Sequence, residues 1–258
     1  MDKAERQQRI VELVQERGEA RLSDLGAGVA TSAVTLRRDL RELAARGRIS
    51  YARGIARARS RHTLEPSFHD KSRIAMTEKT LIGRAAAELV TDGDAVIVGA
   101  GTTTLEFANQ LIGKQIQVWT NSLLVADALA DAATIDVHLA GGEVRGSTRA
   151  LVGSRAERFF TGLRAPFAFL SGNGFTIERG LTTPNAHVAE IDRAMAAAAA
   201  EVVALVDHTK MGAESLITTV PTSRVSRLIT DDAAGSALVE RCRRAGLVVD
   251  VADQEFFQ

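Results

Sequence analysis

Apolar residues recur at helical spacing from about Ala4 to Gln15, with Ile10, Val11, Leu13 and Val14 as the stripe, and Gly18 stops the pattern. The spacing predicts a first packing helix. Ser23 stands where it would cap a very short helix through Leu25, and Gly26 to Ala30 reads as the turn after it. Thr31 to Gly47 carries the sharpest pattern in the chain. With Ser32 as N-cap and about 100° per residue, Leu36, Leu40 and Leu43 share one side of a helix, while Val34, Arg37, Arg38 and Arg41 share the other. Gly47 ends this helix. Arg48 to Tyr51 and Ile55 to Arg59 then pair as two short strands around Ala52, Arg53 and Gly54. The predicted order is helix, helix, turn, helix and a two-stranded wing.

Beyond the wing the periodicity changes. Ser60 to Met76, with Pro66 and mixed charges, reads as a connector, so the expected division is 1–58, a linker at 59–76 and a larger domain at 77–258. In that domain helices are predicted at Lys79 to Leu89, Thr103 to Leu111, Leu123 to Leu129, Val188 to Ala200 and Ser236 to Ala245. Strands are predicted at Ala95 to Val98, Ile116 to Trp119, Ile135 to Leu139, Phe167 to Leu170, Val202 to Val206, Arg227 to Ile229 and Leu247 to Val251. These strands are apolar throughout instead of alternating, and helices separate most of them. That is the signature of an α/β domain with a mostly parallel sheet covered on both faces.

Charge sorts the two halves. The whole chain is neutral, with 32 basic and 32 acidic residues, yet residues 1 to 61 hold 14 Lys+Arg against 8 Asp+Glu. From Arg41 to Arg61 there are seven arginines and one acid, Glu42. A phosphate backbone attracts such a distribution, and the near absence of aromatics there, with only Tyr51, favours duplex over single-stranded nucleic acid. The leucine stripe packs, and the arginine face meets the partner. Ser32, Thr35, Arg37, Arg38 and Arg41 are the expected groove contacts, with Arg48 and Arg53 of the wing on phosphate or in the minor groove. A solvated surface helix is the bland reading of the same charges.

Cys242 is the only cysteine, so no intrachain disulfide forms. His62, His69, His138, His187 and His208 are scattered without ligand spacing, and no metal or cofactor is expected. No stretch has the ~18 apolar residues of a membrane span. These features predict a cytoplasmic protein without a membrane partner.

The candidate chemistry of the larger domain lies in the loops that leave the strands. They are Gly99 to Thr104, Thr120-Asn121-Ser122, Gly141-Gly142 and Ser171-Gly172-Asn173-Gly174. Ligands of parallel sheets sit outside the carboxyl ends of strands, and a glycine loop leading into a helix N-terminus suits an anion. Gly101, Thr102 and Thr103 form the expected phosphate cradle, with Asn121 and Ser122 as neutral donors. Any one such loop is equally well explained by helix capping. Gly180 to Thr183 reads as a polar turn before the Val188 helix, and Asp207-His208-Thr209-Lys210 ends a strand and delivers a cation, Lys210.

These residues together resemble the DeoR family of bacterial sugar-metabolism repressors, over nearly the whole chain. The family pattern of the reading helix is met by Ser32, Thr35, Leu36, Arg37, Arg38, Asp39 and Leu40. Its effector blocks are met by Gly101 to Thr103, Thr120 to Ser122, Gly141-Gly142, Gly172 to Gly174, Gly180 to Thr182 and Asp207 to Lys210. The resemblance implies a winged helix-turn-helix followed by an effector domain similar in fold to ribose-5-phosphate isomerase. It implies a homodimer or homotetramer on double-stranded operator DNA, controlled by a small phosphorylated sugar or related effector bound at Gly101, Thr102, Thr103, Asn121, Ser122, Gly141, Gly142, Gly172, Asn173, Gly174 and Lys210. Three positions depart from the pattern. The wing reads Arg53-Gly54-Ile55-Ala56, Gly99 stands where an acidic residue is common, and Asp192 where a lysine is common.

The rival expectation is a sugar-phosphate isomerase or hydrolase with a basic arm. Enediol chemistry needs a carboxylate base, and Glu143, Glu178, Asp192 and Asp207 are the candidates. Of these, Glu143 and Glu178 read as solvated, Asp192 as facing water on its helix, and Asp207 as holding a turn.

Overall fold

The computed structural model describes residues 2–29, 31–45, 48–58 and 67–253. The chain forms two compact units, Met1–Pro66 and Ser67–Gln258. The first contains α1 (Lys3–Arg17), β1 (Glu19–Arg21), α2 (Leu22–Val29), α3 (Ala33–Ala45), β2 (Ile49–Ala52) and β3 (Ile55–Ala58). A reciprocal capping box starts α1: Asp2 Oδ1 accepts the Glu5 N–H at 2.9 Å and Glu5 Oε2 accepts the Asp2 N–H at 3.0 Å. Ile10, Val11, Leu13 and Val14 pack with Leu25, Val29, Leu36, Leu40, Leu43 and Ile49 in one core, so the leucine stripe of α3 faces inward as its spacing requires. Asp39 is buried on the same helix, where it accepts from Arg6 Nε at 2.7 Å and Gln7 Nε2 at 3.1 Å and ties α3 to α1.

Three expectations for this unit change. Gly26 to Val29 is helical, not a turn, and Ser23 lies inside α2 instead of capping it. The helix places Leu25 and Val29 on one buried face, and Gly28 lies so close to Leu13 that a Cβ there would be 2.8 Å from Leu13 Cδ1. Burial of that face offsets the poor helix propensity of two glycines, each about 1 kcal/mol. The wing has three strands in the order β1-β3-β2, because Glu19–Arg21 pairs antiparallel with β3. With one inward side chain, Ala20, β1 is too short to show a pattern. The expected helix stop at Gly47 and the Arg59 end of the wing lie outside the described residues.

The larger unit opens with α4 (Phe68–Ser72) and α5 (Met76–Ala87), followed by β4 (Ala95–Val98), α6 (Thr102–Asn109), β5 (Ile116–Thr120), α7 (Leu123–Leu129) and β6 (Ile135–Leu139). Next come β7 (Glu143–Arg145), β8 (Ala150–Val152), α8 (Ser154–Phe159), β9 (Ala165–Leu170), β10 (Gly174–Thr176), β11 (Gly180–Thr183) and α9 (Ala186–Ala197). The unit closes with β12 (Ala199–Leu205), β13 (Ile217–Val220), β14 (Arg227–Asp231), α10 (Ser236–Arg244) and β15 (Val248–Ala252). Seven strands make a parallel sheet in the order β15-β14-β12-β9-β4-β5-β6. Alternate residues of one strand feed opposite cores. Val96, Val98 and Phe169 pack with Ile82 of α5, Phe107 of α6 and Val125 of α7; Ile97, Ala168 and Leu170 pack with Ala156 of α8, Met195 of α9 and Cys242 of α10.

The elements outside the sheet were not all expected. β7 and β8 form a hairpin, and β10, β11 and β13 form a small antiparallel sheet. Gly180 to Thr183 is therefore a strand and not a polar turn; its threonines are buried, and Gly180, at φ 75°, passes so close to β13 that a Cβ would be 2.2 Å from Val220 O. Helix α9 ends at Ala197, so the alanine-rich stretch Ala194 to Ala200, expected to end the Val188 helix, is shared between helix and strand. Ser67–Met76, expected as connector, belongs to the larger unit: Ser67 caps α4, and the Phe68 N–H donates to Ser147 O at 2.7 Å on the β7–β8 turn. Among the described residues no helix is long and apolar enough to cross a membrane.

Lys79 is the largest fully buried charged side chain here. Its Nζ donates to Lys71 O at 2.6 Å and Ile74 O at 2.5 Å, pinning the α4–α5 turn. Burial, and then the Lys210 ammonium, push its pKa down to about 8 against the opposing pull of Asp207, Glu106 and Glu78.

At the crossing of α5 and α6, a Cβ on Gly83 would lie 2.7 Å from Phe107 N and 2.8 Å from Glu106 C, both backbone atoms. Gly83→Ala is expected to destabilise the larger unit by about 2 kcal/mol in urea unfolding, although alanine is the better helix former. A stabilised variant would show that the helices can separate freely. For Lys79, the folded pKa lies below the unfolded one. The unfolded chain thus binds more protons between about 8 and the usual lysine value of roughly 10.4, and stability rises with pH in that window. The unfolding free energy of the protein relative to Lys79→Met should therefore climb between pH 8 and 10; a flat difference would contradict the depressed ammonium.

Candidate nucleic-acid interface and anion site

Helix α3 presents its polar face to solvent. Ser32 caps it, its Oγ accepting the Thr35 N–H at 3.2 Å and standing 2.9 Å from Thr35 Oγ1. Ser32, Arg37, Arg38 and Arg41 are exposed and Thr35 half-buried, opposite the buried Leu36, Leu40 and Leu43. Arg38 Nε donates to Glu42 Oε1 at 3.2 Å, while Arg37 and Arg41 make no hydrogen bond or ion pair among the described residues. Lys3, Gln7 and Arg38 together lower the Glu42 carboxyl to about 2, so the one acid beside this face stays ionised and engaged.

In the wing, Arg53 is exposed at the hairpin tip, where Arg53 and Gly54 have φ 50° and 79°. Positive φ at both central residues is what a type I′ turn demands, and it matches the twist of the strands. Arg48 is half-buried, with Nη2 donating to Gln8 Oε1 at 3.4 Å, so it braces the first helix as well as carrying charge. Arg57, not expected as a contact, pairs with its cross-strand partner Glu19 at 2.9 Å.

The loops expected to bind an anion line up along one rim of the parallel sheet, because neighbouring strands end on the same side. The strand order reverses between β4 and β9: β5 and β6 follow on one side, and β12, β14 and β15 on the other. That reversal is the crevice where α/β sheets take ligands, and it lies between Gly99–Thr103 and Ser171–Gly174. Lys210, after β12, reaches it. Its Nζ lies 3.3 Å from Thr103 Oγ1, 3.4 Å from Ser171 Oγ and 3.1 Å from Asp207 Oδ2. The last contact is an ion pair without hydrogen-bond geometry, which leaves Asp207 Oδ2 unsatisfied in that sense. Thr102 Oγ1, buried at the start of α6, also has no partner among the described residues.

Burial alone would raise the Asp207 carboxyl, but Lys210, the Thr209 hydroxyl and Lys79 outweigh it and hold it below the ordinary aspartate value. Thr209 Oγ1 makes a close contact with Asp207 Oδ1. Next to it, buried Asp231 accepts the His208 N–H at 2.7 Å and faces His208 Nδ1 at 2.9 Å. Asp207 is thus a buried carboxylate in contact with the Lys210 ammonium and within the field of Lys79, and the two cations favour an added anion at the crevice.

Two expected donors have another task. Asn121 Oδ1 accepts the Ala100 N–H at 3.0 Å and its Nδ2 donates to Leu151 O at 3.2 Å, with the side chain 1% exposed. Ser122 Oγ accepts the Val125 N–H at 3.2 Å as the N-cap of α7. Both hold loops in place. Gly141 and Gly142 are exposed at the end of the edge strand β6, two strands or roughly 10 Å from β4. Gly142 follows the chain back into the β7–β8 hairpin, where a Cβ would meet Val152 O at 2.6 Å. Gly172, Asn173 and Gly174 stay at the crevice, with the Asn173 N–H donating to Thr182 O at 2.8 Å.

Sequence reasoning missed Ser171 as a partner of Lys210, and it missed Lys79. The signal for Lys79 was present: with Ile82, Gly83 and Ala86 it falls on the buried stripe of α5. Of the carboxylates proposed for enediol chemistry, Glu143 and Glu178 are exposed, and Glu178 pairs with Arg241 at 3.5 Å. Asp192, expected to face water, is 7% exposed on the inner side of α9. Asp207 is held ionised by its neighbours, below the range that suits a general base at neutral pH. Among the described residues no group of three or more His, Cys, Asp or Glu could hold a metal ion.

Residues 6–62 match the family model described as the DeoR-like helix-turn-helix domain, and residues 74–232 match that of the DeoR C terminal sensor domain. An uncharacterized HTH-type transcriptional regulator, YgbI of Escherichia coli K12, is 35% identical over 92% of this chain and 94% of its own length. The putative aga operon transcriptional repressor of Escherichia coli O157:H7 is 32% identical over 95% and 93%. The lactose phosphotransferase system repressor of Streptococcus mutans is 32% identical over 90% and 93%. Among solved structures, ribose 5-phosphate isomerase A of Methanocaldococcus jannaschii aligns with 53% of this chain and 55% of its own, at 16% identity and a TM-score of 0.41. With both units matched in order and relatives aligned over nearly their full length, the chain belongs to the DeoR family of DNA-binding transcriptional regulators.

Proposed function

We propose that this regulator represses a carbohydrate catabolic operon and is controlled by a small phosphorylated sugar or related metabolite bound at the β4–β9 crevice. The Lys210 ammonium carries the reading: it sits at the strand-order reversal, between the hydroxyls of Thr103 and Ser171, beside the N-terminus of α6. A phosphate there would meet the amides of Gly101 to Thr103, the unpartnered Thr102 hydroxyl and Lys210, with Gly172, Asn173 and Gly174 shaping the opposite wall. Asn121 and Ser122 hold the loops after β4 and β5 in register on the cradle side, and Gly141 and Gly142 lie farther along the same rim at the sheet edge. Relatives named as repressors of the aga operon and of a lactose phosphotransferase system support a sugar-derived effector.

The units that go with this reading are a winged reader within 1–66 and a sensor within 67–258, the Ser67–Met76 part of the expected linker belonging to the sensor. In the reader, Ser32, Thr35, Arg37, Arg38 and Arg41 of α3 enter the major groove while Arg48 and Arg53 grip phosphate. A homodimer or homotetramer in the cytoplasm fits a repressor on repeated half-sites. The crevice binds its ligand without turning it over; the Lys210 ion pair and the Thr209 contact weaken Asp207 as a base, and the aligned relatives are transcriptional regulators. Control follows if the metabolite binds one arrangement of the oligomer better than another.

Thermal unfolding of the full chain against a panel of pentose, hexose and triose phosphates tests the sensor. A true effector at a hundredfold excess over its Kd adds about 2.7 kcal/mol. Lys210→Met should abolish that stabilisation yet still bind operator DNA. Conversely, Arg37→Ala should weaken operator binding by about fivefold or more and keep the effector response. Product formation from any of these phosphates would overturn the sensor reading in favour of an enzyme, and loss of both activities in either variant would remove the division of labour.

A further inference from the structure

Val34 is 76% exposed and is the only large hydrophobic residue that stands out into solvent among the described residues of the N-terminal unit. It is the second residue of α3, and Val34, Arg37, Arg38 and Arg41 are spaced i, i+3, i+4, i+7 along one stripe. Arg37 and Arg41 on that stripe have no partner among the described residues, and the leucines occupy the opposite side. Fold stability does not explain the residue. A β-branched side chain is a poorer helix former than alanine at an exposed position, and Val34 buries nothing against the core.

We infer that Val34 is a specificity-determining residue that reads the C5-methyl group of a thymine. The inference rests on α3 being the groove helix. In that arrangement the first turn of the helix is the part that comes nearest to base edges, and the arginines behind it supply the hydrogen bonds to guanine and phosphate. Two apolar methyls at the tip of a cationic stripe have one apolar feature to meet on the major-groove floor, the thymine methyl. The contact removes about one methyl group from water. It therefore sets base preference at one position and adds little to overall affinity, which the arginines dominate.

The test uses the full chain and a duplex selected by it from a random pool. Each thymine of the selected half-site is replaced singly by deoxyuridine, which deletes only the methyl. At one position the replacement should weaken binding by about fourfold, the worth of one buried methyl. Val34→Ala should bind thymine and uracil alike at that position, keep its salt dependence and unfold no more easily than the parent. Sensitivity that persists in Val34→Ala, or a parent indifferent to uracil at every position, overturns the inference while leaving α3 as the reader. A chain that selects no duplex overturns both.

Discussion

Parallel strands that share one rim depend on something to hold the loops of that rim in register, and here much of that task falls to one amide. Asn121 receives the Ala100 N–H on one side and donates to Leu151 O on the other, while its own backbone carbonyl accepts the Leu151 N–H at 2.7 Å. The loop after β4, the loop after β5 and the strand β8 are thereby fixed to one another. Without that clamp the cradle at Gly101 would have no rigid edge. A side chain buried to 1% with both polar ends engaged also leaves little for a ligand, so this residue matters by position and not by contact.

Electrostatics at the rim follow from burial. Lys79 and Asp207 are buried and feel the half-buried Lys210: Lys210 lowers Lys79, and both ammonium groups lower Asp207. Backbone carbonyls at Lys71 and Ile74 satisfy Lys79, and hydroxyls of Thr103 and Ser171 satisfy Lys210. The positive charge is thus held by neutral dipoles together with the Asp207 carboxylate. Such an arrangement is stable without an anion and still welcomes one.

How much of this is legible in the sequence varies with the length of the signal. The sheet strands at Ala95–Val98 and Ile135–Leu139 and the helix at Leu123–Leu129 are apolar or periodic enough to be placed to the residue. Helix α3 and its arginine face are equally plain. Three-residue strands such as β1, β7 and β10 leave no period to read, and the second sheet is therefore invisible before folding. The run of alanines from Ala196 to Ala200 carries no information about where helix gives way to strand. Loop chemistry is legible by kind but not by role: Asn121 and Lys210 look alike as ligand groups, and only the partners of each distinguish a clamp from a binding cation. Asp192 shows the same limit, because the face it takes on α9 depends on β11 and β13, which no pattern announced.

The wing tip shows what function asks of stability. Arg53 holds a left-handed backbone conformation that costs a non-glycine residue about 1 kcal/mol, at a place where asparagine would rest comfortably. A chain shaped only for endurance would have no reason to keep an arginine there. Its presence makes the hairpin a strained lever whose long cationic arm is thrust outward by the turn itself, so that reach is set by backbone geometry before any partner arrives.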